Sequence, residues 1–385
     1  MILLKTLFPD NFTSVFEQLI RNRSNCRLDN ATGAMRALLP SQSGYDSRML
    51  RVGVAMYAYA TPFIVVVGLV GNGLLLKVFA RGAVSNAAAT RCYLMALATS
   101  DSLVLVTYVL LDWLKRGLPQ WPGGWRYNVV DVDGVCQAFL LLSYVFRFLS
   151  AWLVVSFTVE RYVGVCRPLD AGGGRECPTR VVSGLCVLAL LLSLYKPVLS
   201  EVRRTAQGDM CTLKVEQQTL VFYLDTVYGV LITGVPFVVI ATLNILIGAS
   251  LYRTRRRHRR ATFASGNSAM AFDLNVVLIS VSTSFILLNL PYFVVWSLRV
   301  RQHLNTVPRP DAFASRERMR GWLYATKTVF YMNYCCNVFL YSLTGAQFRR
   351  QMRAVLFGKS HRSPSDVTLT RFSIRHNSDK RSSVL

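Results

Sequence analysis

Seven long apolar stretches constrain this chain more than any other feature of its sequence. Each is close to or above the roughly 20 residues that an α-helix needs to cross a lipid bilayer. They lie at about residues 52–79, 88–114, 134–159, 181–199, 219–251, 272–298 and 322–343. The chain is also 52% hydrophobic with a mean hydropathy of +0.34, more than an ordinary soluble domain carries. We number the stretches spans 1 to 7 and expect all of them to cross a membrane.

The lipid interior restricts what such spans can be. Lipid offers the backbone no hydrogen-bond partner, and the strands of a membrane barrel are only about half as long as these stretches. The sequence therefore predicts an all-α membrane protein, a seven-transmembrane helix bundle over residues 51–344.

Three N-glycosylation sequons, at Asn11, Asn22 and Asn30, all precede span 1. Their clustering predicts an extracellular, glycosylated tail over residues 1–50. Seven crossings then place the C-terminus in the cytoplasm. The basic run 253–260 falls on that predicted cytoplasmic side, as the positive-inside rule requires.

The formal net charge of +24 could suggest nucleic-acid binding, but the basic residues lie in loops between predicted spans. We expect no nucleic-acid partner, because anionic membrane lipid is the nearer counterpart. The run 253–260 is either a solvated topology signal or a contact for lipid headgroups or an acidic effector.

Two of the nine cysteines differ from the others in their predicted position. Cys136 lies at the outer start of span 3 and Cys211 in the outer loop before span 5, where an oxidising compartment lets a disulfide persist. We predict that they are joined and hold the loop 200–218 over the mouth of the bundle. Cys26 has no evident partner.

Short motifs follow one another along the spans in a specific order. Span 3 ends in SFTVERYVGVCRPL, which places Glu160, Arg161 and Tyr162 at the cytoplasmic membrane edge. An arginine there could simply reach lipid headgroups. The accompanying motifs are GLVGN with Asn72, LATSD with Asp101, Cys136 ahead of ERY, PFVVIATLN with Pro236 and Asn244, FILLNLP with Phe285 and Pro291, and NVFLY with Asn337 and Tyr341.

Over about residues 50–357, this set resembles the rhodopsin-like (class A) G-protein-coupled receptors. The segments LLNLPYF and NYCCNVFLYSLTGAQFRR are most similar to invertebrate receptors for FMRFamide-type neuropeptides. The resemblance implies a plasma-membrane receptor for an extracellular neuropeptide that promotes nucleotide exchange on a heterotrimeric G protein. It implies no enzyme activity and no cofactor beyond an allosteric sodium ion.

Functional roles carried over from the family fall on matching positions. Glu160 would hold Arg161 at rest, with Tyr162 beside them, and Arg161 would contact the G protein once span 6 swings outward. Asn244 and Tyr341 would line the cavity that opens.

Four polar residues in the middle of the predicted bundle match a polar site of the family. Asp101, Ser150, Asn333 and Asn337 correspond to the residues that surround a hydrated sodium ion in relatives. The alternative is a buried hydrogen-bond network without an ion.

Two departures from the family pattern concern activation. Asn289 occupies the position of a tryptophan two residues before Pro291, and Val338 replaces the usual proline of span 7. The first removes an aromatic switch, and the second puts the kink of span 7 in doubt. The alternatives are ordinary subfamily drift and loss of signalling.

Beyond span 7, residues 345–358 have the pattern of a short interfacial eighth helix. Residues 359–385 are polar and predicted to be disordered. After phosphorylation this tail would bind arrestin. Its terminal SVL, residues 383–385, fits the pattern for a PDZ protein, although chance matches are common.

The ligand site is expected at the outer end of the bundle. Arg147, about three turns inside span 3, needs an anion or water, and either it forms a structural salt bridge with Asp112, Asp225 or Glu201 or it orients a peptide end. The candidate pocket residues are Asp112, Ser143, Tyr144, Arg147, Asp225, Tyr292, Trp296, Arg299 and Lys327.

Other ligand and function classes compete with the peptide. Ser143 stands where amine receptors keep an aspartate, which argues against monoamines. A small molecule or lipid remains the alternative ligand. A transporter is less favoured because no inverted repeat is evident, and a retinal protein because Lys327 lies a full turn before the opsin position, which Tyr331 occupies.

Overall fold

The structure is a computed structural model that describes eight stretches of the chain. They are residues 46–81, 88–124, 131–166, 177–205, 208–258, 266–304, 312–344 and 346–357. The predicted glycosylation sites Asn11, Asn22 and Asn30, the unassigned Cys26 and the C-terminal tail 359–385 lie outside these residues.

Each predicted span coincides with helix. Spans 1, 3 and 6 are single helices, Asp46–Ala80, Val135–Cys166 and Gly266–Leu304. Span 4 is the helix Pro178–Ser193 followed by the short helix Tyr195–Val198. Six of the described helical segments are long and apolar enough to cross a membrane. Span 7 is not among them, and its main helix Ala312–Tyr331 contains the charged run SRERMR.

Spans 2 and 5 each contain a π-helical turn. Span 2 runs through Ala88–Val104, the π turn Leu105–Leu110 and Leu111–Arg116, and ends in a 3-10 turn at Leu118–Gln120. Span 5 begins with a 3-10 turn at Val215–Gln217 and continues through Gln218–Gly229, the π turn Val230–Gly234 and Val235–His258.

The π turn of span 5 ends two residues before Pro236. Because proline has no N–H to donate, the helical ladder must change here. One carbonyl within the turn, Leu231 O, accepts a 3.2 Å hydrogen bond from Trp152 Nε1 of span 3. The two spans are therefore joined through the irregular turn itself.

Span 7 breaks although it has no proline at Val338. It consists of Ala312–Tyr331, the 3-10 turn Met332–Tyr334 and the helix Asn337–Thr344. Asn72 of span 1 donates a 3.0 Å hydrogen bond from Nδ2 to the Tyr334 carbonyl, which satisfies an acceptor inside the break. Span 7 is therefore broken even though Val338 replaces the proline, contrary to the doubt raised by the sequence. A side chain from another span supports the break.

A β-hairpin, which the all-α prediction did not include, closes one end of the bundle. Strands β1 (Ser200–Thr205) and β2 (Gly208–Leu213) pair antiparallel, with Val202 opposite Cys211. The predicted disulfide from Cys211 to Cys136 is present, with the two Cα atoms 5.8 Å apart. We call this the hairpin end.

Spans 1 and 7 approach each other closely at two glycines near the hairpin end. A Cβ added to Gly53 would collide with the Gly321 carbonyl, and one added to Gly321 would collide with the Met49 backbone. Only residues without a side chain allow the two backbones to come this near.

The bundle has a core of apolar side chains and an apolar surface. Phe148, Phe157 and Phe285 are buried in its core. By contrast Phe63 is 70% exposed and Ile245 is 71% exposed. Apolar side chains this exposed suit a protein whose surrounding solvent is lipid.

A final helix, Ala346–Phe357, follows span 7 at the end opposite the hairpin. Its Phe348 is buried against Phe79 and Tyr341, whereas Phe357 is exposed. Arg349 Nη1 donates to the carbonyls of Ser342 and Leu343 at 3.1 and 3.0 Å, which caps the end of span 7.

Candidate functional site

A cavity of about 550 Å³ lies beneath the hairpin between spans 2, 3, 5, 6 and 7. Eight of the nine residues predicted for the ligand pocket line it: Asp112, Ser143, Tyr144, Arg147, Asp225, Tyr292, Trp296 and Lys327. Arg299 does not line the cavity and has an exposed side chain one turn further along span 6. Strand β2 contributes Cys211 and the two residues after it to the lining.

One side of the cavity is organised around Asp112 in span 2. Its Oδ2 accepts hydrogen bonds from Tyr57 Oη at 2.5 Å, Lys327 Nζ at 2.6 Å and Tyr331 Oη at 3.0 Å. Arg116 Nε lies 3.4 Å from the other oxygen. This carboxylate joins spans 1, 2 and 7 and is already neutralised by the protein.

The opposite side is organised around Asp225 in span 5. Its Oδ2 pairs with Lys196 Nζ at 2.7 Å, and its Oδ1 accepts from Tyr144 Oη at 3.0 Å and Tyr195 Oη at 2.8 Å. The group joins spans 3, 4 and 5. Because a buried ammonium is costly unless paired, Lys196 and Asp225 stabilise each other here.

Arg147 lies between these two groups and does not form the salt bridge that was one reading of the sequence. Its Nε donates to the Ser143 carbonyl at 3.1 Å. Its guanidinium carbon is 4.3, 4.4 and 5.5 Å from the ring centres of Tyr108, Tyr144 and Tyr228. Among the residues that the structure describes, no carboxylate lies within 4.0 Å of it.

The three acids considered as partners for Arg147 are engaged elsewhere. Asp112 pairs with Lys327, and Asp225 pairs with Lys196. Glu201 lies in β1 and pairs with Arg203 at 2.7 Å. Each of the three acids therefore has a cation other than Arg147 within 4.0 Å.

The cavity rim is fixed by packing and by one further ion pair. Asp131 Oδ1 accepts from Lys115 Nζ at 2.7 Å and from the Cys211 backbone N–H at 2.8 Å, which ties the hairpin to spans 2 and 3. The Trp296 ring packs against Gly229 so closely that an added Cβ would lie 2.7 Å from it.

Several lining residues were not singled out from the sequence. Lys196 is the one that the sequence could most easily have revealed. A lysine inside the apolar run LLLSLYKPVL is costly in a membrane, so its presence there indicates a function or a partner. Tyr108 and Tyr228, which flank Arg147, gave no such signal. Tyrosines in an apolar helix are ordinary core residues.

In mid-bundle, Asp101 accepts hydrogen bonds from two predicted partners. Ser150 Oγ donates to Oδ1 at 2.6 Å and Asn337 Nδ2 donates to Oδ2 at 2.7 Å. Asn333 is buried nearby on span 7 without a hydrogen bond to Asp101. The oxygens of one carboxylate, one hydroxyl and two amides are the donor types that a small hard cation prefers.

The end opposite the hairpin holds the predicted switch residues. Arg161 Nη2 lies 3.8 Å from Glu160 Oε1, and Tyr162 follows them partly buried. Asn244 Oδ1 accepts a 2.9 Å bond from Ser282 Oγ. Tyr341 is buried against Phe79, so it does not line an open cavity in this conformation.

Asn289 replaces an aromatic side chain with a local hydrogen bond. It is 2% exposed, and its Nδ2 donates to the Phe285 carbonyl at 2.6 Å one turn earlier in span 6. This bond within its own helix satisfies the Nδ2 donor without a partner on a neighbouring span.

Comparison with known proteins places the chain among receptors. The family described as 7 transmembrane receptor (rhodopsin family) matches residues 71–341, well over half of the chain. The human urotensin-2 receptor is 27% identical over 76% of this chain and 69% of its own length. The Drosophila melanogaster pyrokinin-1 receptor is 23% identical over 77% and 78%, and a purinoceptor of Gallus gallus is 24% identical over 83% and 85%.

Proposed function

We propose a ligand and a signalling route for a chain that belongs to the rhodopsin family of seven-transmembrane receptors. It is a multi-pass membrane receptor and not an enzyme. We propose that it lies in the plasma membrane with the hairpin end outside, binds a secreted neuropeptide there and promotes nucleotide exchange on a heterotrimeric G protein at the other end.

The observation that carries the peptide proposal is the lining of the cavity. A volume of about 550 Å³ accommodates several side chains, and its wall combines ion pairs, tyrosines and Trp296. Mixed charge and aromatic surface suits a peptide better than a lipid, whose tails need an apolar wall. Two of the relatives above, the urotensin-2 and pyrokinin-1 receptors, have peptide names, which supports the same ligand class.

The signalling route runs from this cavity to Arg161. Trp152 of span 3 is bonded to the π turn of span 5, and Tyr228 Oη donates to the Tyr144 carbonyl at 2.5 Å, so spans 3 and 5 are joined at two levels. A ligand that moves span 5 would therefore also move span 3. Release of Arg161 from Glu160 would then open the binding surface for the G-protein α-subunit.

The test is an exchange assay on purified G protein with a library of secreted neuropeptides. Alanine at Arg147, Asp225 or Trp296, at equal surface expression, should lower agonist potency by a factor of about 10 or more, about 1.4 kcal/mol. Arg299→Ala is the control because Arg299 does not line the cavity. Unchanged potency at all three positions would contradict the pocket.

A nucleotide is the second candidate ligand. The cavity wall carries more cations than acids, which would suit phosphate groups, and a purinoceptor is among the relatives. Adenosine diphosphate and triphosphate in the same exchange assay separate the candidates. Activation by either nucleotide, with no response to any peptide, would favour this alternative.

Further partners follow from the proposed orientation. Asp101 and its neighbours would bind an allosteric sodium ion, and the exposed face of the helix Ala346–Phe357 would rest on membrane lipid. The tail beyond it would bind arrestin once phosphorylated and a PDZ protein at its end.

A further inference from the structure

The strongest feature that the proposed function leaves unexplained is the state of Arg147. Five cationic residues line the cavity: Lys115, Arg116, Arg147, Lys196 and Lys327. Three acids oppose them, namely Asp112 and Asp225 in the wall and Asp131 behind Lys115. Two cations are therefore in excess of the acids.

The two excess charges differ in exposure. Asp112 is shared between Lys327 and Arg116, and the Arg116 side chain is 56% exposed, so solvent screens the surplus charge there. Arg147 is only partly exposed, and no acid within the described chain pairs with it. Its single hydrogen bond uses Nε, and both Nη groups are left without an acceptor among the described residues.

The three tyrosines around Arg147 explain how it is tolerated without an anion. Aromatic faces within about 6 Å attract a guanidinium, with more effect where water is scarce. They hold the planar group in place, but they do not satisfy its terminal N–H donors. The guanidinium is therefore held in place with its two Nη groups free to donate in parallel, which matches the two oxygens of a carboxylate.

We propose that Arg147 is the anchor for the C-terminal α-carboxylate of the peptide, which enters the cavity with its free-acid end first. This inference rests on the proposed peptide function and specifies its chemistry. A C-terminal carboxylate is the only anion that every unamidated peptide carries, and a chain terminus can reach a group this deep without threading the rest of the peptide past it.

The test uses purified full-length receptor and three pools of N-acetylated synthetic peptides with the same randomised positions. One pool ends in a free acid, one in an amide, and one in an amide with glutamate as the last residue. Mass spectrometry of the retained peptides measures each pool. The free-acid pool should be retained at least about 10-fold over the plain amide pool, the factor that 1.4 kcal/mol represents.

Substitutions then assign the preference to one residue. Arg147→Gln should reduce the acid-to-amide ratio to near one, and Arg147→Lys should reduce it in part because an ammonium cannot bind both oxygens in parallel. Arg299→Gln should leave the ratio unchanged. If Arg147→Gln does not fold, as a thermal unfolding scan will reveal, the lysine variant carries the test.

The outcomes separate this proposal from the one it rests on. Equal retention of acid and amide peptides by the wild type, or an unchanged ratio in both Arg147 variants, would overturn the carboxylate anchor and leave peptide binding intact. Greater retention of the glutamate pool than of the acid pool would overturn the assignment to the chain terminus. Retention of no pool would contradict peptide binding and the anchor together.

Discussion

The contact between Glu160 and Arg161 gives the most direct test at the scale of single residues. Glutamine at position 160 keeps the shape but removes the charge that holds Arg161 at 3.8 Å. The active packing should then be more populated without ligand. We expect basal nucleotide exchange on purified G protein to rise about threefold, which corresponds to less than 1 kcal/mol.

Two controls accompany this variant. Glu216→Gln changes an exposed acid at the hairpin end and should leave basal exchange unaltered. Arg161→Ala should bring both basal and stimulated exchange to the background level. Stimulated exchange equal to wild type in Arg161→Ala would refute its role.

Asp101 provides the second residue-scale prediction, the presence of a sodium ion. A bound ion stabilises the folded state by mass action, so the unfolding midpoint of the wild type should be about 2 °C higher in sodium chloride than in choline chloride at the same ionic strength. In Asp101→Asn this difference should vanish because the amide cannot neutralise a cation. Asp209→Asn, on the hairpin, is the control.

Equal midpoints of the wild type in the two salts would leave the alternative reading, a hydrogen-bond network without an ion. Ser150 and Asn337 already occupy one oxygen each of the Asp101 carboxylate. In that case these two donors, and no ion, would hold the carboxylate.

Single residues were predicted from the sequence better than their partners were. Spacing along span 3 was enough to bring Ser143, Tyr144 and Arg147 to the cavity wall. The pairing of Asp225 with Lys196 was not foreseen, since it depends on how close spans 4 and 5 come. Helical periodicity gives the face of a residue, but the distance between two helices is set by packing.

At the scale of elements, the contact of spans 1 and 7 predicts the effect of one methyl group. Alanine at Gly321 would meet the Met49 backbone, which cannot move as a side chain does. Overpacking of this kind costs about 1–3 kcal/mol, so the unfolding midpoint should fall by several degrees.

The matched control is Gly248→Ala in the middle of a helix of span 5. Nothing lies within 4 Å of the added Cβ there, and alanine is the better helix former. Its midpoint should be unchanged or higher. A midpoint for Gly321→Ala equal to that of Gly248→Ala would contradict the close contact.

Element types were predicted for the spans but not for their irregularities. Apolar length identified the helix of every span, whereas the break in span 7 has no proline or glycine to announce it. Its carbonyl at Tyr334 is satisfied by Asn72, which is 262 residues earlier in the chain. The hairpin was missed for a similar reason, because SEVRRT lacks the alternation of a half-buried strand.

For the whole molecule, orientation is the property that one cysteine can test. Cys177 is exposed just before span 4, on the predicted cytoplasmic side. A membrane-impermeant maleimide should therefore label it in permeabilised cells and not in intact ones. The labelled peptide should be absent from Cys177→Ser, and labelling of Cys177 in intact cells would reverse the proposed topology.

The same thiol has a predictable pH dependence. Hydrogen bonding from the Thr179 backbone N–H at the start of the helix lowers the pKa of Cys177 below its usual value. Because the thiolate is the reactive form, its share is larger at neutral pH than for an ordinary exposed cysteine. The labelling rate should level off at a lower pH than that of a free-thiol peptide used as reference.

The overall architecture follows from the sequence because the bilayer leaves few alternatives. Seven apolar lengths, one disulfide and ordered motifs were sufficient for the bundle and its family. The ion pairs of the cavity could not be predicted in the same way, because they depend on which acids and cations the packing of the spans brings together. Only the three-dimensional arrangement reveals that Arg147 has no carboxylate partner among the described residues.

The π turn Val230–Gly234 has a consequence for how such a receptor diverges over time. A wide turn of this kind is what an α-helix forms when it gains one residue, and each residue of a regular helix turns the chain by about 100°. Loss of a single codon within the turn would rotate Asp225 and Tyr228 relative to the cavity while the half of span 5 beyond Pro236 kept its register. Deletions and insertions here can change the lining of the cavity in one mutational step, while the half of span 5 beyond Pro236 is inherited intact.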